Sequence, residues 1–451
     1  MNHSFLNRLR NSAFWVLDTA KGGKIKTNLQ DITESLSFTS FETLQKKNDK
    51  ILDSLLRKAI EETSFYSDFH NYRSLQDFPV VDKISIRTNF DNMLTKSSKV
   101  DMLHTIFTSG STGAPFMTYQ NQGKKQRNTA DTIYFAKQAG YTLGDKLLYL
   151  RLWYDSIKKK KISAFMQNIE QLSIEDLDDN LYIKALVEKL QKDKSPKGWL
   201  GYPSGMDKIC NYLDSVNSKP LDCNIKSIIG MSENLSDDVR SRMSHYFGAP
   251  MVSRYSNFEN GIIAQQAPNS DYFIINWASY IVEILSFDSN EPVKDGELGR
   301  IVITDLFNQA VPMIRYDTGD VGAMEFTDNQ TYPVLKTVEG RKSDIILSTK
   351  GSMISPFKFM GLLPKFPEIK QIQFVQTEKS NYTIKVNIED IFVREQELTT
   401  LFKSYVGQDA KIEVEYVNEI PLLSSKKRKL CRNLFTERNS SNNREKILHS
   451  L

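Results

Sequence analysis

The sequence predicts an α/β protein: a large N-terminal domain with helix-covered sheets and a barrel-like subdomain, followed by a small C-terminal α+β lid domain. Three observations carry this. Strand and helix patterns alternate between about residues 199 and 255, which builds a largely parallel, helix-covered sheet. Beyond Tyr272 strands succeed one another directly. Near Gly340 the pattern restarts as strand, strand, helix, strand over roughly 100 residues, a length that can fold by itself. The expected divisions are 1–339, 340–435 and a polar tail, 436–451.

In chain order, residues 1 to about 100 read as mainly helical. Phe41 to Thr63 carries Leu44, Ile51, Leu55, Leu56 and Ile60 at helical spacing. Phe78 to Lys83 is an extended entry to a short helix ending near Leu94. Two extended runs, Met102 to Phe107 and Phe116 to Tyr119, flank Thr108-Ser109-Gly110-Ser111-Thr112-Gly113-Ala114-Pro115, so strand, tight loop and strand are expected. Gln126 to Ala139 suits a helix, Gly140 to Asp145 a turn, and Lys146 to Trp153 a buried strand. The run Lys158 to Lys161 reads as a solvated loop, or as a contact for an acceptor's phosphate.

The alternation follows. Trp199 to Pro203 is a strand end, and Met206 to Val216 a helix with Ile209, Tyr212 and Leu213 inward. Ile225 to Ile229 is a strand, Ser236 to Phe247 a helix capped by Ser236, and Pro250 to Tyr255 a strand. Phe273 to Trp277, Tyr280 to Phe287 and Arg300 to Thr304 are strands separated by turns such as Lys294-Asp295-Gly296. An antiparallel or barrel-like part is therefore expected. In the last domain the strands are Ile369 to Thr377, Tyr382 to Ile388 and Lys411 to Tyr416, with a helix from Arg394 to Tyr405.

Composition narrows the function. A net charge of +4 on 59 basic and 55 acidic residues argues against a dedicated nucleic-acid binder. Cys210, Cys223 and Cys431 are scattered and odd in number, which fits neither a disulfide framework nor a zinc site but a reducing cytoplasm. The five histidines have no metal-ligand spacing. Residues Asn2 to Arg8 lack a signal peptide's apolar core, and no apolar run is long enough to span a membrane.

The chemistry-bearing stretch is Thr108 to Pro115. Its glycines permit close backbone approach, and its N–H groups and hydroxyls can wrap phosphate oxygens. It is no Walker loop, since neither the lysine nor the helix follows. A Ser/Thr/Gly cluster is also what a flexible surface loop contains. Four further segments decide between these. Tyr255-Ser256-Asn257-Phe258-Glu259 ends a strand with an aromatic and a carboxylate four apart. Tyr316-Asp317-Thr318-Gly319-Asp320 reads as a turn bearing two carboxylates. Gly340-Arg341-Lys342-Ser343-Asp344 marks the boundary, and Pro421 to Lys429 is lysine-rich. Together they supply parts for reaction at a nucleotide's phosphates: a loop for oxygens, Glu259 for Mg²⁺, Asp320 for ribose hydroxyls and a lysine for developing charge.

Their order resembles the adenylate-forming superfamily, the acyl-CoA synthetases and their relatives, over roughly residues 60 to 430. Within it the likeness is to the phenylacetate–CoA ligase branch, including capsular-polysaccharide relatives. Gly201-Tyr202-Pro203-Ser204 before a helix, and Ser232-Glu233 where that branch has Gly-Glu beside the adenine, point there. The resemblance implies that Thr108, Ser109, Gly110, Ser111, Thr112 and Gly113 form the phosphate loop. It puts Ser232, Glu233, Tyr255 and Ser256 around adenine, and Asp320 and Arg341 on the ribose. Glu259 would bind magnesium and Lys427 would be the catalytic lysine, with Thr108 and Glu259 sharing in catalysis. Here Lys426 stands in place of the motif's glycine, so Lys426 and Lys429 remain alternatives to Lys427. Ser343, followed by Asp344, replaces the usual hinge Asp or Lys.

The activity implied is formation of an acyl-adenylate from ATP and a small carboxylic acid, then transfer to a thiol or an amine. The thiol would be coenzyme A or a carrier protein's phosphopantetheine. The implied setting is cytoplasmic, and surface polysaccharide biosynthesis is one pathway it admits. The other reading is a non-catalytic, nucleotide-binding scaffold in a biosynthetic complex.

Overall fold

In the computed structural model the chain forms two compact units. The larger runs to Thr108, resumes over Phe116–Thr318 and closes with Gly322–Val338; the smaller is built on the chain from Glu339 onward, with Gly319–Val321. The structure describes residues 3–108, 116–153, 158–327, 330–341, 345–354, 359, 365–366, 368–388, 391–421 and 429–435.

The larger unit opens with helices α1 (His3–Ala20), α2 (Lys24–Ser35) and α3 (Phe41–Glu62), then the short α4 (Lys83–Thr88) and α5 (Phe90–Met93). The strands β1 (His104–Thr108) and β2 (Phe116–Gln120) form a separate antiparallel pair in which Thr108 lies opposite Phe116. Next come α6 (Gln122–Gln138), β3 (Lys146–Arg151), α7 (Lys161–Met166), β4 (Ile169–Ser173), α8 (Asn180–Lys192) and β5 (Lys197–Gly201). The expected alternation follows as α9 (Pro203–Ser215), β6 (Ile225–Met231), α10 (Asp237–Phe247) and β7 (Met251–Asn257). The Ser236 hydroxyl accepts from the Val239 N–H, so the expected cap of α10 is made.

Strands β3 to β7 pair in parallel, in the order β7-β6-β5-β3-β4. From β7 onward the pairing reverses. β8 (Gly261–Gln266), β9 (Phe273–Ile275), β10 (Tyr280–Leu285), β11 (Leu298–Asp305), β12 (Tyr316–Glu325) and β13 (Val334–Arg341) extend the same sheet to eleven strands among the described residues. The strands expected in an antiparallel or barrel-like part are antiparallel, and they hydrogen-bond into this one sheet. The run Tyr316–Asp320 is a correction: it lies in β12 rather than in a turn. Tyr316 and Thr318 alternate inward and are buried, as a strand's period of two requires. Gly319 supplies the locally left-handed backbone, at φ 76°. Helix α6 begins four residues before the expected Gln126, and α7, β4 and α8 were not anticipated.

Helix α6 is unusual in what it buries. Lys124, Arg127 and Asp131 are all fully covered. Lys124 Nζ pairs with Asp305 Oδ2 at 2.7 Å, donates to the Tyr280 hydroxyl at 3.0 Å and lies over the Tyr280 ring. Arg127 donates to Ser279 Oγ and the Ala278 carbonyl and pairs with Asp31. Burial pushes the Asp131 carboxyl upward against the pull of Arg127 and Lys124. This network joins α6 to the β10 and β11 strands. Such charges are tolerated inside only when paired.

The smaller unit holds the hairpin β14 (Ile346–Leu347) and β15 (Met353–Ile354). Its sheet contains β16 (Ile369–Gln376), β17 (Asn381–Ile388), β18 (Lys411–Tyr416) and β19 (Cys431–Asn433), in the order β18-β17-β16-β19. Helix α11 (Glu395–Val406) lays Leu398, Phe402 and Val406 on it, and Phe402 stacks on Phe374 and Phe359. The pattern after Gly340 thus matches the expected strands and helix; β14, β15 and β19 are added. The cysteines are buried, and burial pushes the Cys210 thiol up to about 12.

Replacing Lys124 by Met leaves Asp305 buried without its cation. The larger unit should lose about 3–5 kcal/mol, read as a lower denaturant midpoint. A midpoint within error of the parent would mean that the pair adds nothing.

Candidate active site

The parallel-to-antiparallel switch falls between β7 and β8. In open α/β sheets ligands bind outside the carboxyl ends of the strands. Here β7 ends at Asn257, three residues turn the chain, and Gly261 opposite Asn257 starts β8. Those three are Phe258, Glu259 and Asn260. Gly261 takes φ 110°, and a Cβ there would sit 2.7 Å from Asn128 Oδ1, so the tight return needs glycine.

The turn is fastened from several elements. Gln120 Nε2 donates to the Glu259 carbonyl at 2.7 Å. The Tyr280 hydroxyl donates to the Asn260 carbonyl, and Asn260 Nδ2 reaches Asp305 Oδ2 and so the α6 network. The Asn260 N–H bonds Asn257 Oδ1 at 2.8 Å.

The Glu259 side chain is 2% exposed. Its Oε1 accepts from Lys83 Nζ at 2.8 Å and from the Tyr316 hydroxyl at 2.7 Å. Burial alone would raise this carboxyl, but the Lys83 ammonium and the two bonds outweigh it and hold the group below its ordinary value of 4.5. Both partners are set by one short bridge. Val81 pairs in parallel with Tyr316, its N–H bonding the Arg315 carbonyl and its carbonyl accepting from Asp317. Asp82 then caps α4 through the Ser85 N–H, which makes Lys83 that helix's first residue. Lys83 Nζ also lies 5.3 Å from the ring centre of Phe116, the residue that opens β2.

Next to this turn, β6 and β7 run parallel with Met231 opposite Arg254, which sets Ser232 beside Tyr255. Ser232 has φ 64°, in the left-handed region that favours glycine. Glu233 Oε2 accepts from the Ser204 N–H at 2.9 Å, in the first turn of α9. Gly201–Ser204 and Ser232–Glu233, far apart in sequence, therefore meet at the ends of β5 and β6.

No family model matches the sequence. Protein CapK of Staphylococcus aureus is 23% identical, with 88% of this chain and 87% of that protein covered. A phenylacetate-coenzyme A ligase of Aromatoleum evansii is 22% identical, with 79% and 84% covered. Among solved structures, a 2-hydroxyisobutyryl-CoA ligase in the postadenylation state, in complex with 2-HIB-AMP, superposes at a TM-score of 0.66. It is 18% identical, with 89% of this chain and 92% of that one covered. ATP-bound MatB of Rhodopseudomonas palustris gives 0.53 at 13% identity, covering 74% and 68%. The chain is similar to CapK and the phenylacetate-coenzyme A ligases over most of their lengths, and it shares the fold of the 2-hydroxyisobutyryl-CoA ligase.

Against that similarity the expected site residues fall into four groups. Ser232, Glu233, Tyr255, Ser256 and Glu259 gather at the ends of β6 and β7. Tyr255 is nearly buried, with its hydroxyl 3.3 Å from Thr318 Oγ1, while Ser256 is half-buried. Asp320 lies half-buried in β12, and Arg341 ends β13. Thr108 ends β1. Ser109, Gly110, Ser111, Thr112, Gly113, Lys426 and Lys427 lie outside the described residues, as do the side chains of Thr108 and Arg341. The alternative Lys429 is described, its carbonyl accepting from Gln373.

Lys83 escaped the sequence reading because nothing in its spacing announces a partner in β7's turn. A second omission is the aromatic group around Arg151, at the end of β3. Its guanidinium lies 5.6 Å from the ring centre of the exposed Phe258, and it contacts Tyr149 and Trp153.

Two outcomes follow from this geometry. In the parent, the stabilisation from ionised Glu259 is complete above its unfolded value near 4.5 and is lost as pH falls through the lower folded value. In Lys83→Met, burial dominates, the folded value rises above 4.5, and stability falls as pH rises through it. Denaturant midpoints from pH 3 to 8 read the reversal; parallel curves would contradict the pairing. At Ser232, glycine should be neutral or stabilising by about 1 kcal/mol, and valine destabilising by about 1–3 kcal/mol. Equal midpoints for the two variants would contradict the left-handed backbone.

Proposed function

We propose that the chain is an ATP-dependent ligase that activates a small carboxylic acid as an acyl-adenylate and then transfers the acyl group, with coenzyme A as the acceptor. One observation carries this reading. Lys83 links an ionised Glu259, in the turn at the carboxyl end of β7, to Phe116, which flanks the expected phosphate loop. A fixed negative group thus has a cation beside it, and in sequence the expected phosphate loop directly precedes Phe116. The names of the relatives support the same chemistry: ligases that act with coenzyme A, and solved complexes with an acyl-AMP and with ATP.

In the first step, a substrate carboxylate oxygen attacks the α-phosphorus of ATP. The new O–P bond forms as the bond to pyrophosphate breaks, and pyrophosphate leaves with the electron pair. In the second, the acceptor's sulfur attacks the acyl carbon and AMP leaves as its phosphate anion. The thiol proton passes to solvent. Catalysis here is mainly positioning and electrostatics. Thr108 and Ser109–Gly113 would hold phosphate oxygens. Lys427 would offset the charge that develops in the first step, with Lys426 and Lys429 the nearest substitutes. Ser232, Glu233, Tyr255 and Ser256 would wall the adenine, with Asp320 and Arg341 on the ribose.

Glu259 fits a magnesium ligand. One carboxylate completed by substrate phosphates and water is a donor set this ion takes, and Lys83 keeps the carboxylate ionised as a ligand must be. The ion would supply positive charge to the phosphates. A carrier-protein thiol or an amine as acceptor, and a place in surface polysaccharide biosynthesis, are finer assignments within this proposal.

Carboxylate-dependent ATP–pyrophosphate exchange across an acid panel tests the reading. Exchange should appear with at least one acid and fall about 100-fold or more in Glu259→Gln. Lys427→Ala should suppress exchange far more than it weakens ATP binding. ATP binding with no exchange for any acid would replace the ligase with a nucleotide-binding scaffold.

A further inference from the structure

Helix α1 is amphipathic, but it faces the wrong way for a helix at a protein surface. Its polar side is buried. Asn7 and Asp18 are nearly inaccessible. Asn7 Nδ2 bonds Asp145 Oδ1 at 3.0 Å, Asn11 Nδ2 bonds the Leu143 carbonyl at 2.8 Å, and Asp18 accepts from the N–H groups of Ile25 and Lys26. The opposite side is apolar and faces outward: Phe5, Leu9 and Val16, spaced four and seven apart on one face, are 58%, 54% and 67% exposed.

The short α7 continues this surface. Its Ile162, Phe165 and Met166 are 77%, 72% and 63% exposed. The two helices are joined directly. The Arg10 guanidinium lies 5.5 Å from the ring centre of Phe165, and Asn168, just past α7, bonds Asn7 Oδ1. The charge carried by the two helical segments themselves is mainly basic. Residues 3–30 contain Arg8, Arg10, Lys21, Lys24 and Lys26 against a single acid, the buried Asp18. Residues 158–168 contain four lysines and no acid. Lys158, Lys160 and Lys161 are exposed.

We infer that the α1–α7 face is a peripheral docking surface for an anionic lipid bilayer. Its outward apolar side chains would enter the headgroup boundary while the basic rim engages anionic headgroups. A second copy of the chain is the weaker occupant. Protein interfaces are depleted in lysine, and a twofold contact here would bring like-charged rims together. Nothing spans: no helix among the described residues is long and apolar enough to cross a membrane. The inference stands apart from the ligase reading: none of these residues is among those assigned to the acyl-adenylate step, and here the Lys158 to Lys161 run meets lipid headgroups in place of an acceptor's phosphate.

Sedimentation of the full chain with vesicles tests it, using phosphatidylcholine alone and phosphatidylcholine mixed with phosphatidylglycerol. Binding should require the anionic lipid and weaken at high salt. It should drop about tenfold or more both in Ile162→Ser/Phe165→Ser and in Lys160→Glu/Lys161→Glu. All four positions are exposed, so the fold should survive, and circular dichroism with unchanged ATP–pyrophosphate exchange checks that it has. Equal partition into both vesicle types, or partition unchanged in both double variants, would overturn the inference. So would a concentration-dependent dimer that Ile162→Ser/Phe165→Ser dissolves, with no vesicle binding by the parent.

Discussion

A carboxylate cannot be buried unpaired, and much of the larger unit's local structure answers that constraint at Glu259. The turn that carries it is only three residues long, so the group cannot swing to solvent. Its partners must therefore come to it. Lys83 and Tyr316 arrive together because Val81 bridges to Tyr316, and a single hydrogen-bonded step fixes the start of α4 against β12. The bond from Gln120 and the Asn260 link to Asp305 hold the turn's backbone from two further directions. Shifting any of these elements by an ångström or so would leave a charge in low dielectric without its counter-charge, at a cost of several kcal/mol. The site is rigid for an electrostatic reason before it is rigid for a packing one.

The α6 network extends the same logic away from the site. Lys124, Arg127 and Asp131 occupy places on α6 that apolar side chains would fill at no desolvation cost. What the charges add is direction. An apolar face can slide along its neighbours, whereas Lys124 has one geometry that meets both Asp305 and the Tyr280 hydroxyl. Tyr280 in turn donates to Asn260, next to Glu259. Register is thus transmitted from α6 to the turn through hydrogen bonds, each of which tolerates only a few tenths of an ångström.

The legible parts of the chain were those where a local rule decides the outcome. The cap at Ser236, the alternation from residue 199 to 255, and the strand–strand–helix–strand order after Gly340 depend on neighbours within a few residues. Errors arose where distant partners decide. Helix α6 starts earlier than its pattern suggests, because its first turn carries Lys124, a residue that periodicity counts as solvent-facing although it is covered. Tyr316 to Asp320 has turn composition, yet buried Tyr316 and Thr318 make it strand. At Ser232 the two levels agree: the resemblance marks a position of glycine, and the backbone there is left-handed. Lys83 was invisible, since its meaning lies wholly in a contact with a turn far along the chain.

Helix α1 shows the same limit in a sharper form. Amphipathic spacing says that a helix has two faces; it does not say which one is covered. Burial of the apolar face is the usual outcome because water disfavours it. In α1 the sequence supplies a competing set of contacts: two asparagines and an aspartate whose partners are backbone groups and a carboxylate at fixed places in the Leu143–Asp145 turn and the start of α2. These bonds are directional and would be lost if the helix rolled over, whereas its apolar stripe can be satisfied by any apolar phase. The polar contacts therefore set the roll of the helix, and the outward stripe is a consequence that persists whether or not the bilayer is present.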